Sequence, residues 1–302
     1  MRINNNIPAL NTHRMLGMNT NSLEKTLERL SSGKRINRAS DDAAGLAISQ
    51  KMDAQIRGLR QASRNGLDGI SLIQTAEGAL NEVHAMLQRM RELSVQGANG
   101  IYEEGEGGDL KAIANELKEL TEQIDKIGKD TTFNGIYLLQ GNLAGEDGGN
   151  ETENLRLHIG ANEEQYIEVD MEEMNIRVSN DDKGLKIISE IIVADEDDKF
   201  KVDENALKAE NFNTAITTYD KAIKTVAAHR SKLGAYQNRL EHTIKNLDNT
   251  AENLTAAKSR IEDADMASEM SEFVKLSILQ QAGTAMLSQA NQLPQSVLQL
   301  LQ

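Results

Sequence analysis

The sequence contains no cysteine, no tryptophan and only two prolines, and its four Phe and five Tyr make up just 3% of the chain. Without thiols, disulfides, thiol catalysis and thiolate metal sites are excluded, and the chain is suited to any redox compartment. Scarce rings mean that a core must be built from Leu, Ile, Val, Met and Ala packed between helices, which disfavours the ring-lined pocket of a small-molecule enzyme. No apolar segment approaches the roughly 20 residues of a membrane span. No stretch near Met1 has the continuous apolar run of a secretory signal peptide, so export by that route is not expected. What is present, 302 residues of which 39% are hydrophobic, lies far from disordered compositions and suffices for one or two domains.

The formal charge is −14, and its distribution is uneven. Residues 141 to 210 hold 20 Asp and Glu against 7 Lys and Arg, a balance of −13 that accounts for nearly the whole excess. Residues 1 to 40 carry +5 and residues 262 to 302 carry −4, so the two ends are complementary. Exposed pairs of this kind contribute only about 0 to 1 kcal/mol each. The acidic middle argues against nucleic acid and against an anionic membrane as partners.

From Phe212 to Ile261 an apolar 3-4 stagger continues through Ile216, Tyr219, Ile223, Val226, Leu233, Leu240, Ile244, Leu247, Ala251 and Leu254. That is a coiled-coil seam, with Arg230, Gln237 and Lys258 as its polar occupants and Gly234 as its weak point. One continuous helix of roughly 75 Å follows at 1.5 Å per residue. A rod of this length must have its apolar stripe covered by other rods.

Four further helices are expected. Ile3, Ile7, Leu10, Leu16, Leu23, Leu27 and Leu30 share a stripe, with Pro8 in the first turn and Asn5 or Asn6 as cap. After a loop through Ser31, Ser32 and Gly33, Asp41 or Asp42 caps a second helix that ends at residues 97 to 100. The third carries Leu110, Ile113, Leu117, Leu120, Ile124 and Ile127. Phe133 to Gly135 signal a turn. The runs LRLHIG and QYIEVDM, separated by ANEE, read as a β-hairpin, whereas residues 172 to 205 give no clear assignment. Helical spacing resumes with Phe273, Leu276, Leu279, Met286, Leu293, Val297, Leu298, Leu300 and Leu301. An apolar C-terminal segment is unusual; it either docks within the chain or awaits another subunit.

The fold class is therefore mainly α: a long coiled-coil-like helical hairpin bundle with a small β-rich segment and paired N- and C-terminal helices. Three divisions are expected. Residues 1–40 and 262–302 are terminal helices, 41–140 and 206–261 a helical shell, and 141–205 a short acidic outer segment containing the hairpin.

Catalytic and metal chemistry finds no foothold. His13, His84, His158, His229 and His242 are scattered, with no paired spacing. The acidic run Asp195 to Asp198 lacks the glycine and terminal glutamate of a calcium loop. The glycine-rich piece before Leu110 would repel phosphate through Glu103, Glu104, Glu106 and Asp109. No catalytic, cofactor-binding or metal residue is nominated, and an enzyme is not expected. The sequons at Asn150 and Asn253 are short enough to arise by chance.

Several long stretches carry a resemblance. RINNNIPALNTHR, LERLSSGKRINRASDDAAGLAIS, GISLIQTAEGALNEVHAMLQRMRELSVQGANG, FNGIYLL, LGAYQNRLEHTIKNL, ENLTAAKSRIEDADMASEMSEF and ILQQAGTAMLSQANQLPQSVLQLL lie in order at the two ends of the chain. They resemble flagellin, the bacterial flagellar filament subunit, of the short Bacillus type with a reduced central region, and are more specific than any fold analogy.

The resemblance implies a homopolymer for motility, in which residues 1–40 and 262–302 form the inner filament core and the remaining helices the next shell. Subunit-packing candidates are Leu23, Leu27, Leu30, Phe273, Leu276, Leu279, Met286, Leu293, Val297, Leu298, Leu300 and Leu301. It also implies an extracellular, flagellar location reached uncleaved through the flagellar type III channel. The implied partners are the cap, the hook-filament junction proteins and an export chaperone that holds the C-terminal segment. The vertebrate innate receptor TLR5 is a further implied partner, with Arg89, Leu93, Gln96 and Glu116 as the matching residues. Pro8 departs from the small residue more usual in the family and could limit how far the first helix extends. The rival readings are a hook-to-filament junction protein, a filament-displayed enzyme and a soluble immune ligand.

Overall fold

The computed structural model of the chain describes residues 6–102, 108–141, 154–170, 174–178, 184–187, 191–194, 200–203 and 206–299, with side chains as far as 292. The acidic run at Asp195 to Asp198, the sequon at Asn150, and Leu300 and Leu301 lie outside these residues. The helices are α1 (Ile7–Ser32), α2 (Ala43–Gly97), α3 (Asp109–Asp130), α4 (Ala209–Glu262) and α5 (Met266–Gln299). The strands are β1 (Thr132–Phe133), β2 (Ile136–Tyr137), β3 (Leu155–His158), β4 (Tyr166–Val169), β5 (Ile192–Ala194) and β6 (Phe200–Val202), joined as three antiparallel pairs. The chain is thus mainly helical, with paired terminal helices and small strand pairs, as the periodicity indicates. Two compact units divide it: residues 1–57 with 250–302, and residues 58–249.

In the first unit α1 packs along α5. Asn6 caps α1 by accepting from Ala9 N at 3.2 Å, with Pro8 in the first turn where its missing amide hydrogen costs nothing. Gly33, at φ 70°, ends the helix and returns its amide to Arg29 O at 2.8 Å. Hydroxyls of Thr12, Thr20, Ser22 and Thr26 donate to the carbonyl four residues earlier, so these polar side chains are satisfied inside their own helix. The connection to α2 is pinned by two different aspartates. Asp41 accepts from the amides of Asn37 and Arg38, which holds its carboxyl below the usual range, while Asp42 caps α2 through Gly45 N at 2.9 Å.

The second unit holds one continuous core. On α2 the buried positions 59, 62, 66, 69, 73, 76, 80, 83, 87, 90, 94 and 97 keep a strict heptad. On α4 the buried slots include Ala215, Ala222 and His229, one residue before the Ile216, Ile223 and Arg230 of the apolar stripe, which lie half-buried at its flank. Alanine fills two of those slots, so the larger neighbours Ile216 and Ile223 can cover the seam from the side. Gly234 does not interrupt α4.

The segments between α3 and α4 share this core: Leu138, Ile167, Val169, Ile176, Ile187 and Ile192 are buried with Leu80, Leu117 and Tyr219. Asn134 and Gly135, at φ 52° and 81°, form the tight turn of β1 and β2, the geometry their residue types favour. The β3–β4 hairpin lies against α2, where Asn65 Nδ2 donates to His158 O at 3.1 Å and Leu157 covers Gly69. Asp125 of α3 accepts from Val178 N at 3.2 Å and pairs with Lys129 at 2.9 Å, anchoring residues 174–178.

Candidate assembly and receptor surfaces

Two interleaved sets of apolar residues occupy the terminal helices. The seam between them is formed by Ala9, Thr12, Leu16, Leu23, Thr26 and Leu30 on α1, and by Phe273, Leu276, Gly283, Leu287 and Ala290 on α5. It is narrow: an added Cβ at Gly283 would stand 3.2 Å from Leu16 Cδ1. Of the candidate packing residues, Leu276 is buried, and Leu23, Leu30 and Phe273 are half-buried. Leu27, Leu279 and Met286 are exposed, Met286 by 60%. Leu293, Val297 and Leu298 lie on α5, with side chains outside the described set.

The exposed set extends further. On α5, Met266, Met270, Val274 and Ile278 form an i, i+4 row outside the seam, and Ile278 is 60% exposed. On α1, Ile7, Leu10, Met15 and Met18 lie on the face turned away from the seam. Apolar side chains therefore surround α5 on nearly every side, a pattern that belongs to a helix enclosed by others. This outer row was missed in the sequence; its signal is the four-residue repeat of Met, Met, Val and Ile.

The receptor candidates lie in the second unit. Arg89 on α2 donates from Nε to Glu116 of α3 at 3.0 Å, with Nη2 at 2.9 Å and Glu92 at 3.6 Å. The carboxylates raise the Arg89 pKa, chiefly through the hydrogen bond to Glu116. Gln96 is exposed and donates to Tyr102 Oη at 3.3 Å. Leu93 is 2% exposed and belongs to the core beneath this face. The structure thus brings Arg89 and Glu116 together and places Leu93 inside.

Residues 3–144 match the family described as "Bacterial flagellin N-terminal helical region", and residues 216–301 match "Bacterial flagellin C-terminal helical region". The chain belongs to the flagellin family. It is 51% identical to the flagellin of Halalkalibacterium halodurans over 301 residues and 51% identical to that of Bacillus subtilis over 304, in both cases across 100% of each chain. A putative flagellar hook-associated protein from Vibrio parahaemolyticus shares the fold at 12% identity, with a TM-score of 0.53 over 74% of this chain and 100% of that one. As a flagellin, the chain is a structural subunit of the flagellar filament that polymerises with other flagellin subunits and serves motility; it is not an enzyme.

A charged cleft of about 590 Å³ lies in the first unit of this flagellin, lined by Lys34, Asp53, Arg57, Lys258 and Glu262 among others. Its charges satisfy one another. Lys258 meets Asp53 at 2.5 Å, Arg57 meets Asp53 at 2.7 Å, and Lys34 meets Glu262 at 2.5 Å. The hydrogen bond from Lys258 depresses the Asp53 pKa, and the one to Glu262 raises that of Lys34. Among the described residues no acidic or histidine cluster suits a metal ion, and no helix is long and apolar enough to cross a membrane.

Proposed function

We propose that residues 1–40 and 262–302 form the inner tube of the filament, that 41–140 and 206–261 form the shell around it, and that 141–205 face outward. The observation that carries this reading is the apolar surface left uncovered on α5 and on the outer face of α1. Fully covering one such side chain contributes about 1.5–3 kcal/mol, against about 0–1 kcal/mol for an exposed ion pair. Apolar contact between subunits, rather than the opposite charge of the two ends, therefore drives assembly. The subunit is exported uncleaved by the flagellar type III system to an extracellular location. The apolar C-terminal segment is the surface an export chaperone covers, and the cap and hook-filament junction proteins are the partners at the filament's ends.

Electron microscopy tests the assembly reading by comparing the full-length chain with one lacking residues 1–40 and 262–302, each seeded with filament fragments. Filaments from the full-length chain alone are expected. A full-length chain that stays monomeric under seeding refutes it and favours a junction protein or a soluble ligand.

The same chain is a ligand of TLR5 through the α2–α3 face, with Arg89, Gln96 and Glu116 in contact and Leu93 supporting the face. Arg89→Ala is expected to reduce signalling at least tenfold in TLR5 reporter cells treated with monomer. Unchanged signalling from that variant removes this face from the interaction.

A further inference from the structure

α5 carries a proline in its interior. Pro294 has no amide hydrogen, so the carbonyl four residues earlier, that of Ala290, lacks the usual i+4 donor of its own helix. Ala290 is 7% exposed, so water is a poor substitute there.

The missing donor comes from the other end of the sequence. Asn6 Nδ2 donates to Ala290 O at 2.8 Å across a separation of 284 residues. The Oδ1 of the same amide accepts from Ala9 N at 3.2 Å and caps α1. One side chain thereby satisfies an orphan amide at the start of α1 and an orphan carbonyl within α5. A short amide is suited to this, because its oxygen accepts while its separate nitrogen donates; a carboxylate of the same shape has no donor, and the single oxygen of a serine, one bond nearer the backbone, is too short to cap α1 and reach Ala290 O together.

This contact differs in kind from the rest of the seam. The Leu, Thr, Ala and Gly positions repeat every seven residues, and such a pattern tolerates a heptad slip. Asn6 does not. A slip of seven residues would bring it to Gly283, whose carbonyl is four residues before Leu287 and is paired within α5. Only Ala290 has been freed by a proline four residues on.

We propose that Asn6 is the positioning residue that fixes the register of α1 on α5, and that the pairing required for filament growth depends on this latch. The inference rests on the chain's role as a filament subunit. The test is the critical concentration for elongation of filament seeds by full-length chains. Elongation by the unaltered chain is the control for the filament reading itself; the variants measured against it report the latch.

Asn6→Ser keeps a good cap but withdraws the donor from reach of Ala290 O, and is expected to raise the critical concentration about tenfold. Pro294→Ala supplies an amide hydrogen for Ala290 O, so Asn6→Ser in that background should change it less than about twofold. Melting of the 58–249 unit is followed in parallel and should not move. An Asn6→Ser chain that elongates normally, one equally impaired in both backgrounds, or one whose 58–249 unit is also destabilised overturns the proposal.

Discussion

Replacing Gly97 by alanine is expected to destabilise the 58–249 unit even though alanine is the better helix former. A Cβ at this position would stand 2.5 Å from Phe212 Cδ1 and 2.8 Å from two further ring carbons, against about 3.5–4.0 Å for carbons in favourable contact. Phe212 is completely buried, so its ring has no solvent to move into. Overpacking of this kind costs about 1–3 kcal/mol. The helix propensity of alanine over glycine returns at most about 1 kcal/mol in a helix interior, and less at Gly97, the last residue of α2. The net loss is about 1–2 kcal/mol. For a unit of this size each kcal/mol lowers the midpoint by about 2–4 °C, so a fall of about 2–8 °C is expected by circular dichroism at 222 nm. Phe212→Leu removes the ring, and in that background Gly97→Ala should become neutral or stabilising. A Gly97→Ala chain melting at or above the original temperature would refute the claim that the aromatic ring selects glycine.

Three other outcomes follow from the described geometry. His229 is buried on α4, and desolvation lowers its pKa. Below its ordinary value of about 6.5 the unfolded chain binds more protons than the folded one, so stability should decline as the pH falls through that value towards the folded pKa. His229→Gln should flatten this slope in urea titrations at several pH values, and an unchanged slope would mean that another group titrates. The depressed pKa of Asp53 means that its contribution is present above about pH 3.9 and lost as the pH falls through the folded value. Asp53→Asn should therefore be less stable than the original chain at neutral pH and close to it in strong acid; a constant difference at all pH values would exclude the ion pair as cause. Ile278→Glu should leave the helix content of the chain unchanged and raise the critical concentration for seeded elongation more than about tenfold. Normal growth of that variant would show that the outer row of α5 does not face a neighbour.

Sequence periodicity located the helices because their apolar residues recur at spacings that only a helix brings to one face. The stagger from Phe212 to Ile261 corresponds to α4, and the Asn-Gly turn to the β1–β2 connection. The identity of the seam was less legible. On α1 and α5 the eye follows Ile7, Leu10, Leu27, Leu279 and Met286, yet these are exposed, while Ala9, Thr12, Thr26, Gly283 and Ala290 make the close contact. Hydrophobicity reports that a side chain will be covered, without saying whether the cover comes from its own chain. Small residues mark the intrachain contact better, because they permit the backbones to approach. In the acidic middle, strands of three or four residues depend on burial against distant helices, as Ile167 of β4 and Ile192 of β5 do, and so leave little local pattern. The Asn6 contact was legible only in part: its capping role is local, but its second partner lies 284 residues away.

The contacts across the molecule are nested like parentheses. Arg91 meets Asp220 over 129 residues, Lys258 meets Asp53 over 205, and Asn6 meets Ala290 over 284. Closing the outermost pair after the 205-residue contact exists involves a much shorter free loop, which reduces its entropic cost by about 1 kcal/mol. Every outer contact gains in the same way from the one inside it. Loop entropy therefore favours pairing that runs from the inner contacts towards the ends of the chain, and separation in reverse. The contacts this bias leaves to last are those of α1 with α5, the elements that also carry the uncovered apolar rows. A subunit can thus arrive with its inner contacts complete and its outermost ones open, and close them as neighbours cover its apolar faces.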